Sequence, residues 1–295
     1  MSIKNIYENY RKKINNEKIN SIEYEKYFVD KIKNYHLDNF DILYLARDKY
    51  RPKTKHIIEN VIEKPLYLKG DRSLGDDESI IAGIGMLKKI PVTFIGIDKG
   101  NSLEENVKKN FGMPSPQGYR KAIRLMKQAE KFKRPIVTFI DTPGAYPGIE
   151  AEKNGQAFAI SESIYTMCSL KVPIISVITG EGYSGGALGL SICDHLVMLE
   201  HSVFSILSPE GFASILYRDS KKVKEASKNM KFSARDMLSF KICDEIIEER
   251  LDPNYKYFLE IYEKLSNILF EKIVSLQKLE SEELMYRREN RYNGT

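Results

Sequence analysis

The sequence predicts an α/β fold of stacked parallel layers, each made of a strand, a loop and a helix. Three short apolar runs rich in β-branched residues, at 90–96, 134–141 and 172–180, carry this prediction. Such runs are typical of strands buried on both faces. Their prolines, Pro91, Pro135 and Pro173, recur roughly every 40 residues with helical patterns between them. A repeated strand-helix unit favours a layered parallel sheet over a barrel or a sandwich.

The composition is that of a globular enzyme. The 295 residues are 42% hydrophobic and 29% charged, which excludes disordered, collagen-like and disulfide-scaffold classes. No apolar run reaches the roughly 18 residues of a membrane span, and the charged N-terminus lacks a secretory pattern, so we expect a cytoplasmic protein. Cys168, Cys193 and Cys243 form no zinc-ligand pair, and we expect three buried thiols. The net charge of +5 suits a phosphorylated ligand better than nucleic acid.

Residues 1–63 are predicted to form a helical arm, rich in Lys, Glu, Asn and Tyr and poor in glycine. Apolar residues recur there at scattered helical spacing, namely Ile14, Ile19, Ile22, Tyr27, Phe28 and Ile32. A solvated helix packed on the body or on a partner explains this pattern, and nucleic-acid binding remains the alternative.

Residues 64–250 are predicted to form the core. Two further strands are expected at 195–200 and 202–207, after the third repeated unit. A helix is expected after Gly118, because apolar residues follow the i, i+3, i+4 rule at Tyr119, Ala122, Ile123, Met126, Ala129 and Phe132.

Residues 251–295 are predicted to form one long amphipathic helix that ends in a charged tail at 280–293. The apolar positions at helical spacing are Phe258, Ile261, Tyr262, Leu265, Ile268, Leu269, Ile273, Leu276 and Leu279. The polar face is mixed in sign, which favours packing on the body or on a second subunit over packing on a membrane.

The glycine cluster 180–186 matches two motifs with different chemistry. As G-x-G-x-x-G it would bind a dinucleotide, with Glu200 where a ribose-binding carboxylate is expected, but the segment before the next strand is short for a crossover helix. As G-x-S-x-G it would present Ser184 as a nucleophile. Of the histidines only His195 and His201 follow Ser184, too close together to come from later strands.

A third motif is the apolar strand that ends in Asp141, which resembles the Mg²⁺-binding strand of a nucleotidase. That interpretation requires a phosphate-binding loop with a lysine. The nearest match, at 70–75, is followed by Asp76 instead, so the nucleotidase interpretation fails.

The glycine clusters themselves indicate a chemistry. Glycine-rich loops at strand ends leave backbone N–H groups uncovered at the start of a helix, where the dipole adds positive potential. Such a turn stabilises developing negative charge without a catalytic side chain, and one donor contributes about 3 kcal/mol in the transition state. This agrees with a sequence in which no acid, base or nucleophile stands out.

Several blocks resemble the carboxyltransferase alpha subunit of bacterial acetyl-CoA carboxylase, of the crotonase-like superfamily. The similarity covers about residues 40–250, with weaker similarity at both ends. The matching blocks are Gly70-Asp71-Arg72, Asn110-Phe111-Gly112-Met113-Pro114, Gly118-Tyr119-Arg120-Lys121-Ala122, TFIDTPGAYPG at 138–148, Gly155-Gln156, Gly180-Glu181-Gly182, Ser184-Gly185-Gly186-Ala187-Leu188 and Ser208-Pro209-Glu210-Gly211.

The resemblance implies a crotonase/ClpP-like superhelix of strand-loop-helix repeats, with the N-terminal arm and the long C-terminal helix added to it. It implies transfer of a carboxyl group from carboxybiotin, tethered to a carrier protein, to acetyl-CoA, giving malonyl-CoA for fatty acid synthesis. The implied partners are a beta subunit with a zinc ribbon, the biotin carboxyl carrier protein and biotin carboxylase, with the two carboxyltransferase subunits as α2β2. This chain would hold no metal. A paralogue acting on another acyl-CoA, or a non-catalytic assembly or RNA-binding subunit, is the alternative.

The resemblance also assigns site residues. The backbone N–H groups of Gly185 and Gly186 would form the oxyanion hole for biotin. The expected walls are Gly182, Tyr183, Ser184, Tyr146, Pro147, Gly148, Ser208, Pro209, Glu210 and Gly211, although Ser208 and Pro209 also read as a helix start. Coenzyme A phosphates would meet Lys99, Lys108, Lys109, Arg120 and Lys121, unless these residues form a solvated basic face.

The chain departs from the family pattern at several positions. The family's G-H-Q-K-G-R segment reads Gly96-Ile97-Asp98-Lys99-Gly100-Asn101 here, so that it lacks the family's imidazole and arginine. Glu150 replaces a glycine and Phe212 replaces a cysteine. Tyr183 lies inside the glycine cluster, where it would either strain the loop or narrow the biotin entrance.

Overall fold

The computed structural model describes residues 2–16, 24, 28–30, 32–33 and 35–292. Within this part, the strands are β1 (Glu63–Tyr67), β2 (Ile80–Leu87), β3 (Ile90–Ile97), β4 (Ile136–Thr142), β5 (Ile174–Tyr183), β6 (His195–Leu199), β7 (Val203–Ser205) and β8 (Glu245–Ile247). The helices are α1 (Ile3–Asn16), α2 (Asn39–Arg47), α3 (Thr54–Val61), α4 (Leu103–Lys108), α5 (Pro116–Lys131), α6 (Ile149–Lys153), α7 (Gln156–Ser169), α8 (Ser184–Ser191), α9 (Pro209–Tyr217), α10 (Val223–Asn229), α11 (Ala234–Ser239), α12 (Phe258–Leu276) and α13 (Ser281–Tyr292).

All these strands belong to one sheet, in the order β1-β2-β3-β4-β5-β6-β8, with β7 beside the end of β5. The pairs β1–β2 and β2–β3 are antiparallel, and every pair from β3 onwards is parallel. The predicted layered parallel sheet is therefore confirmed, together with the five predicted strands.

The central strands are buried because each face of the sheet carries a layer of helices. Successive residues of β4 alternate between the two cores, so that Ile136 and Ile140 face one side while Val137 and Phe139 face the other. The first core is completed by α5, α7 and α8, and the second by α3 and α12. Burial on both faces explains why these strands read as continuous apolar runs.

The sequence patterns do not predict three of the strands, β1, β2 and β8. Strand β2 contains Gly83 and Gly85, which break its apolar run; a side chain at either position would overlap β1 or the residues beside it. Strand β1 contains Pro65, which is tolerated because β1 is an edge strand. Strand β8 has only three residues. Short or glycine-bearing strands lack the periodic signal on which the prediction rests.

The helix predicted after Gly118 is confirmed as α5, whose apolar stripe from Tyr119 to Ala129 is buried. Phe132 does not belong to that stripe, because it caps the helix and is exposed. The predicted C-terminal helix is confirmed as α12, and its apolar face packs on the body. The charged tail, in contrast, forms a separate helix, α13.

The predicted arm is helical over α1, which packs on the body through Ile3 and Tyr7. Phe28 and Ile32 join the same apolar cluster. Ile19, Ile22 and Tyr27 lie outside the described residues.

Two of the three cysteines are buried as predicted, Cys193 and Cys243, whereas Cys168 is exposed on α7. Among the residues that the structure describes, no helix is long and apolar enough to cross a membrane. The same ranges contain no cluster of three or more His, Cys, Asp or Glu residues arranged to hold a metal ion.

Candidate active site

The chain turns from strand to helix between Tyr183 and Ser184 with no intervening loop. Tyr183 keeps an extended backbone, with φ of −121° and ψ of 140°. Ser184 takes the left-handed conformation, with φ of 57°, at a cost of about 1–2 kcal/mol for a residue with a Cβ. One strained residue therefore makes the whole turn and leaves the start of α8 at the carboxyl end of β5.

The first turn of α8 offers backbone N–H groups as donors. The first N–H groups of any helix lack an intrahelical acceptor, and no side chain caps α8. Among the residues that the structure describes, no turn or loop carbonyl accepts a hydrogen bond from Gly185 or Gly186. The positive end of the helix dipole lies at the same point, so an anion placed there would be stabilised.

Gly186 packs directly against the loop that follows β4. A side chain at Gly186 would overlap the backbone of Gly144 and Ala145. The N–H of Ala145 has no acceptor within the described part of the chain either. The ends of two neighbouring parallel strands thus bring unpaired backbone donors side by side.

The loop after β4 is held in place by its own hydrogen bonds. The Thr142 hydroxyl accepts from the Gly144 N–H at 3.0 Å and donates to the Gly144 carbonyl at 2.8 Å. The Tyr146 N–H donates to the Pro114 carbonyl at 3.0 Å, and the Gln156 amide donates to the Tyr146 carbonyl at 3.0 Å. The loop is therefore preorganised before any ligand binds.

Three of the predicted wall residues lie at the outer part of this loop. Pro147 is exposed, and the Tyr146 ring lies over Gly148 so closely that any side chain at Gly148 would overlap it. Tyr146, Pro147 and Gly148 therefore share the loop that reaches Gly186.

An ion-pair network lies under the turn. Lys99 Nζ is 2.7 Å from Asp141 Oδ1 and 2.7 Å from Glu181 Oε2, and Asp141 Oδ1 also accepts from the Glu181 N–H at 2.9 Å. Arg47 joins Glu181 at 2.6 Å and Glu210 at 2.6 Å. The network ties α2, the ends of β3, β4 and β5, and the start of α9 into one unit.

The cations of this network keep the carboxyl groups of Asp141 and Glu210 ionised. Burial by itself would raise the pKa of Asp141, but Lys99 and Lys53 outweigh it and hold that pKa below the usual range. Burial opposes ionisation of Glu210 in the same way, and Arg47 lowers its pKa. These carboxylates therefore stay ionised and cannot serve as proton donors at neutral pH.

The segment 208–211 begins helix α9 as predicted. Ser208 is the N-cap, and its hydroxyl accepts from the Gly211 N–H at 3.2 Å. Pro209 occupies the first turn, and Glu210 points to Arg47. The structure connects this segment to the turn through the ion-pair network.

The lysines and arginine expected to meet phosphates are already paired inside the chain. Lys99 is held by Asp141 and Glu181, as described above, and the other four have carboxylate partners of their own. These pairs are Lys108–Glu104, Lys109–Asp98, Arg120–Asp71 and Lys121–Asp76. Each of these side chains thus has a carboxylate partner among the described residues, and Lys108 is also exposed. Contact with coenzyme A phosphates stays a prediction.

The departures from the family pattern have structural explanations. Tyr183 is unstrained, and its ring is buried in an apolar cluster with Leu43 and Phe232, so the expectation that it narrows an entrance is corrected. Phe212 packs against the same cluster. Asp98 is buried and accepts from the backbone at the start of α3. Glu150 is exposed on α6.

The geometry does not support the dinucleotide-binding or the nucleophilic-serine interpretation of the glycine cluster. Ser184 does sit on a sharp strand-to-helix turn, but His195 contacts Glu245 and His201 lies beside Glu249. Glu200 pairs with Arg235. Neither a serine triad nor a ribose-binding carboxylate is therefore assembled from these residues.

Sequence reasoning missed five residues that meet at this site: Arg47, Lys53, Ala145, Asp141 as an ion-pair partner, and Glu181. The glycine motif already contained Glu181, and the strand-ending aspartate was noted for a different chemistry. No signal marked Arg47 or Lys53, because they come from the lysine-rich N-terminal segment.

Comparison with known proteins supports one family. A family model described as acetyl co-enzyme A carboxylase carboxyltransferase-like matches residues 2–295. A relative from Clostridium perfringens, named acetyl-coenzyme A carboxylase carboxyl transferase subunit alpha, is 47% identical over 257 residues, covering 87% of this chain and 95% of its own. A Clostridium tetani protein named as subunits beta/alpha is 47% identical over 282 residues, which are 95% of this chain and 49% of that protein.

A solved structure shares the fold. Transcarboxylase 12S, with methylmalonyl-coenzyme A bound, matches with a TM-score of 0.61 at 17% identity. The match covers 78% of this chain and 44% of the transcarboxylase chain.

Proposed function

Because this chain belongs to the acetyl-CoA carboxylase carboxyltransferase alpha-subunit family, we propose that it moves a carboxyl group from carboxybiotin to acetyl-CoA. Carboxybiotin would arrive on a carrier protein and malonyl-CoA would leave. The observation that carries the proposal is the pair of strand ends where Gly186 meets Ala145. Unpaired backbone donors at that point suit a reaction that creates an oxyanion.

The transfer balances without a protein acid or base. Carboxybiotin would supply the carboxyl group as CO₂ when its N–CO₂⁻ bond breaks, and the electron pair and negative charge would stay on its ureido group. The first turn of α8, from Gly185 and Gly186, would donate to the oxygen of that group. In this proposal the ureido group would accept the methyl proton of acetyl-CoA, and the carbon that loses this proton would form the bond to CO₂ that gives the malonyl carboxylate. The protein supplies donors and position.

A beta subunit is the partner of this chain in the family, since relatives carry beta and alpha in one polypeptide. We place its docking face beside the turn. Ile149 begins α6 directly after the loop that reaches Gly186 and is 75% exposed, and Phe158 on the next helix, α7, is 71% exposed. Large apolar side chains left in water next to a site indicate a surface that a partner covers. The second half of each active site, for the thioester, would come from that partner.

The carrier protein and biotin carboxylase complete the proposed assembly, with two copies each of the alpha and beta subunits. The zinc ribbon of the assembly would lie in the beta subunit, as the family resemblance implies. Site residues in this chain are Gly185 and Gly186 as donors, with Ser184, Gly182 and the 146–148 loop as walls.

Reconstitution tests the proposal. The chain and its beta subunit are co-expressed, purified as a complex and supplied with carboxybiotin and a panel of acyl-CoA esters. We expect malonyl-CoA from acetyl-CoA with the complex and none with either subunit alone. A stable complex that turns over no ester would refute a catalytic role. Preference for another ester would identify a paralogue with a different substrate.

A further inference from the structure

A small cavity lies beside the ion-pair network on the side of α2. Its volume is about 250 Å³, and its lining includes Arg47, Lys53, Lys99, Pro143 and Glu181. Pro143 directly precedes Gly144, which contacts Gly186, and Glu181 belongs to β5 just before the turn. The cavity therefore adjoins both strands that supply the proposed oxyanion donors, and its size suits a small polar group rather than a whole cofactor.

The cations of this cavity differ in their partners. Arg47 and Lys99 each contact two carboxylates at 2.6–2.7 Å. Lys53 contacts none within 4.0 Å among the described residues, and its Nζ donates to the Asp48 carbonyl at 3.1 Å. Lys53 is nevertheless only 9% exposed. An ammonium has three donors, so this buried group keeps donor capacity that the chain does not use.

Burying an ammonium without a carboxylate is unfavourable, because the lost hydration is not replaced. Burial accordingly lowers the pKa of Lys53, and the nearby Lys99 and Arg51 act in the same direction, while Asp141 and Asp48 oppose them. An anionic ligand that pairs with the Lys53 ammonium would offset this unfavourable burial.

Lys53 also lines a larger groove, of about 720 Å³, on its other side. That groove is lined by Lys49, Arg51, His56 and Lys256 as well as by aromatic residues, and its lining contains no Asp or Glu among the described residues. Lys53 thus stands between a basic groove and the cavity next to the turn. A positive groove raises the local concentration of anions.

We propose that Lys53 binds the carboxylate that this enzyme transfers, as a binding residue for the migrating carboxyl group. The inference rests on the proposed function and adds a residue to it. The ammonium would hold the carboxylate of carboxybiotin before C–N cleavage and the carboxylate of malonyl-CoA after C–C formation. Between these states the group is neutral CO₂, and the cavity would keep it beside the acetyl-CoA carbon that accepts it. Lys53 keeps its proton throughout, so atoms and charge balance as in the transfer itself.

The test compares two thioesters that differ by one carboxylate. Malonyl-CoA carries the group and acetyl-CoA lacks it, so their dissociation constants are measured by calorimetry on the reconstituted complex. In Lys53→Met, we expect malonyl-CoA to bind about tenfold to a hundredfold more weakly, as for loss of a charged hydrogen bond. Acetyl-CoA should bind within about twofold of the original complex. Lys53→Arg keeps the positive charge and should recover part of the lost affinity.

Lys55→Met is the matched control, because Lys55 lies two positions after Lys53, its side chain is exposed, and its ion pair is with Glu59 on the same helix. It should leave both affinities unchanged. An equal change for both thioesters in Lys53→Met, or no change for malonyl-CoA, would overturn the inference. Transfer by the original complex is measured separately, so the proposed function can stand while this inference fails. Thermal unfolding of each variant identifies a loss that comes from misfolding.

Discussion

At the scale of single residues, Gly186 occupies a position where no larger residue fits without a shift of the backbone beside it. Its contact with Gly144 and Ala145 leaves no room for a Cβ. The sequence marked this glycine as a donor, but only the structure shows that it is also the point where two strand ends touch.

We therefore expect Gly186→Ala to separate the two donors. One lost donor costs about a hundredfold to a thousandfold in kcat, and we expect a loss of about that size in malonyl-CoA formation by the reconstituted complex. Gly185→Ala is the comparison, since a Cβ there meets only Ile160, at 3.5 Å. It keeps its N–H and should lose far less. Equal losses in the two variants would show that the close approach at Gly186 is unimportant.

The donors and their glycines could be predicted from sequence because glycine next to a strand end is a local signal. The ion pairs beneath them could not. Arg47 pairs with Glu181 and Glu210 across 134 and 163 residues, and no local pattern encodes which charges meet at such separations. The same reason explains why Lys99 was expected at a phosphate and is instead paired inside the chain.

At the scale of elements, the charged C-terminal helix α13 is anchored to the core through one buried arginine. Arg288 on this helix is buried and makes two 2.8 Å bonds to the Asp194 carboxylate. It also donates to the carbonyls of Met167 and Leu170, each at 2.7 Å, at the end of α7. One guanidinium thereby joins the C-terminal helix to two elements of the core.

Arg288→Met should lower the free energy of unfolding by about 3–5 kcal/mol, because it leaves Asp194 buried and unpaired. Arg288→Lys should recover little, since an ammonium lacks the planar fork that reaches the Asp194 carboxylate and the carbonyls of Met167, Leu170 and Val172. Urea denaturation measures both.

The control for this experiment is Arg287→Met, one position earlier. Arg287 is exposed, and among the described residues its one ion pair is with Glu283 on the same helix, so its loss should cost about 0.5 kcal/mol or less. If Arg288→Met unfolds as easily as Arg287→Met, α13 is not anchored by this side chain.

Elements with strong periodicity were predictable, and those without it were not. The parallel strands and helices α5 and α12 have apolar patterns that repeat along one or two faces. The tail helix α13 has only two buried residues, Leu284 and Arg288, and one of these is charged. A helix that docks through an arginine gives no apolar stripe to detect.

At the scale of the whole molecule, two histidines make stability depend on pH. Burial lowers the pKa of His195 and of His201, in spite of nearby carboxylates. The folded chain therefore keeps both neutral where the unfolded chain binds protons, below about pH 6.5. Their contribution to stability is complete above that pH and is lost as the pH falls through it.

We expect the free energy of unfolding to be lower at pH 5.5 than at pH 7.5, by about 1 kcal/mol for each histidine. Urea denaturation at the two pH values measures the difference. His201→Gln should reduce it, whereas His36→Gln, at an exposed position, should not. A difference that survives in His195→Gln/His201→Gln would assign it to other groups.

The proposed docking face gives another whole-molecule prediction. Ile149→Asp places a charge in the surface that the beta subunit would cover, and we expect the complex to weaken about tenfold to a hundredfold. Tyr286→Asp is the control, because Tyr286 is 66% exposed on α13. Sedimentation of the mixed subunits measures both, and equal affinities in the two variants would place the interface elsewhere.

The long-range pairs of Arg47 also set the order in which a growing polypeptide can acquire its site. Glu210 is synthesised long after Arg47 and after most of the strands. The Arg47–Glu210 ion pair therefore cannot form until translation has passed Glu210. A chain that ends before Glu210 would lack the second of the two carboxylates that hold Arg47 beside the turn. The turn at the end of β5 therefore has both carboxylates that hold Arg47 beside it only in molecules whose translation has passed Glu210.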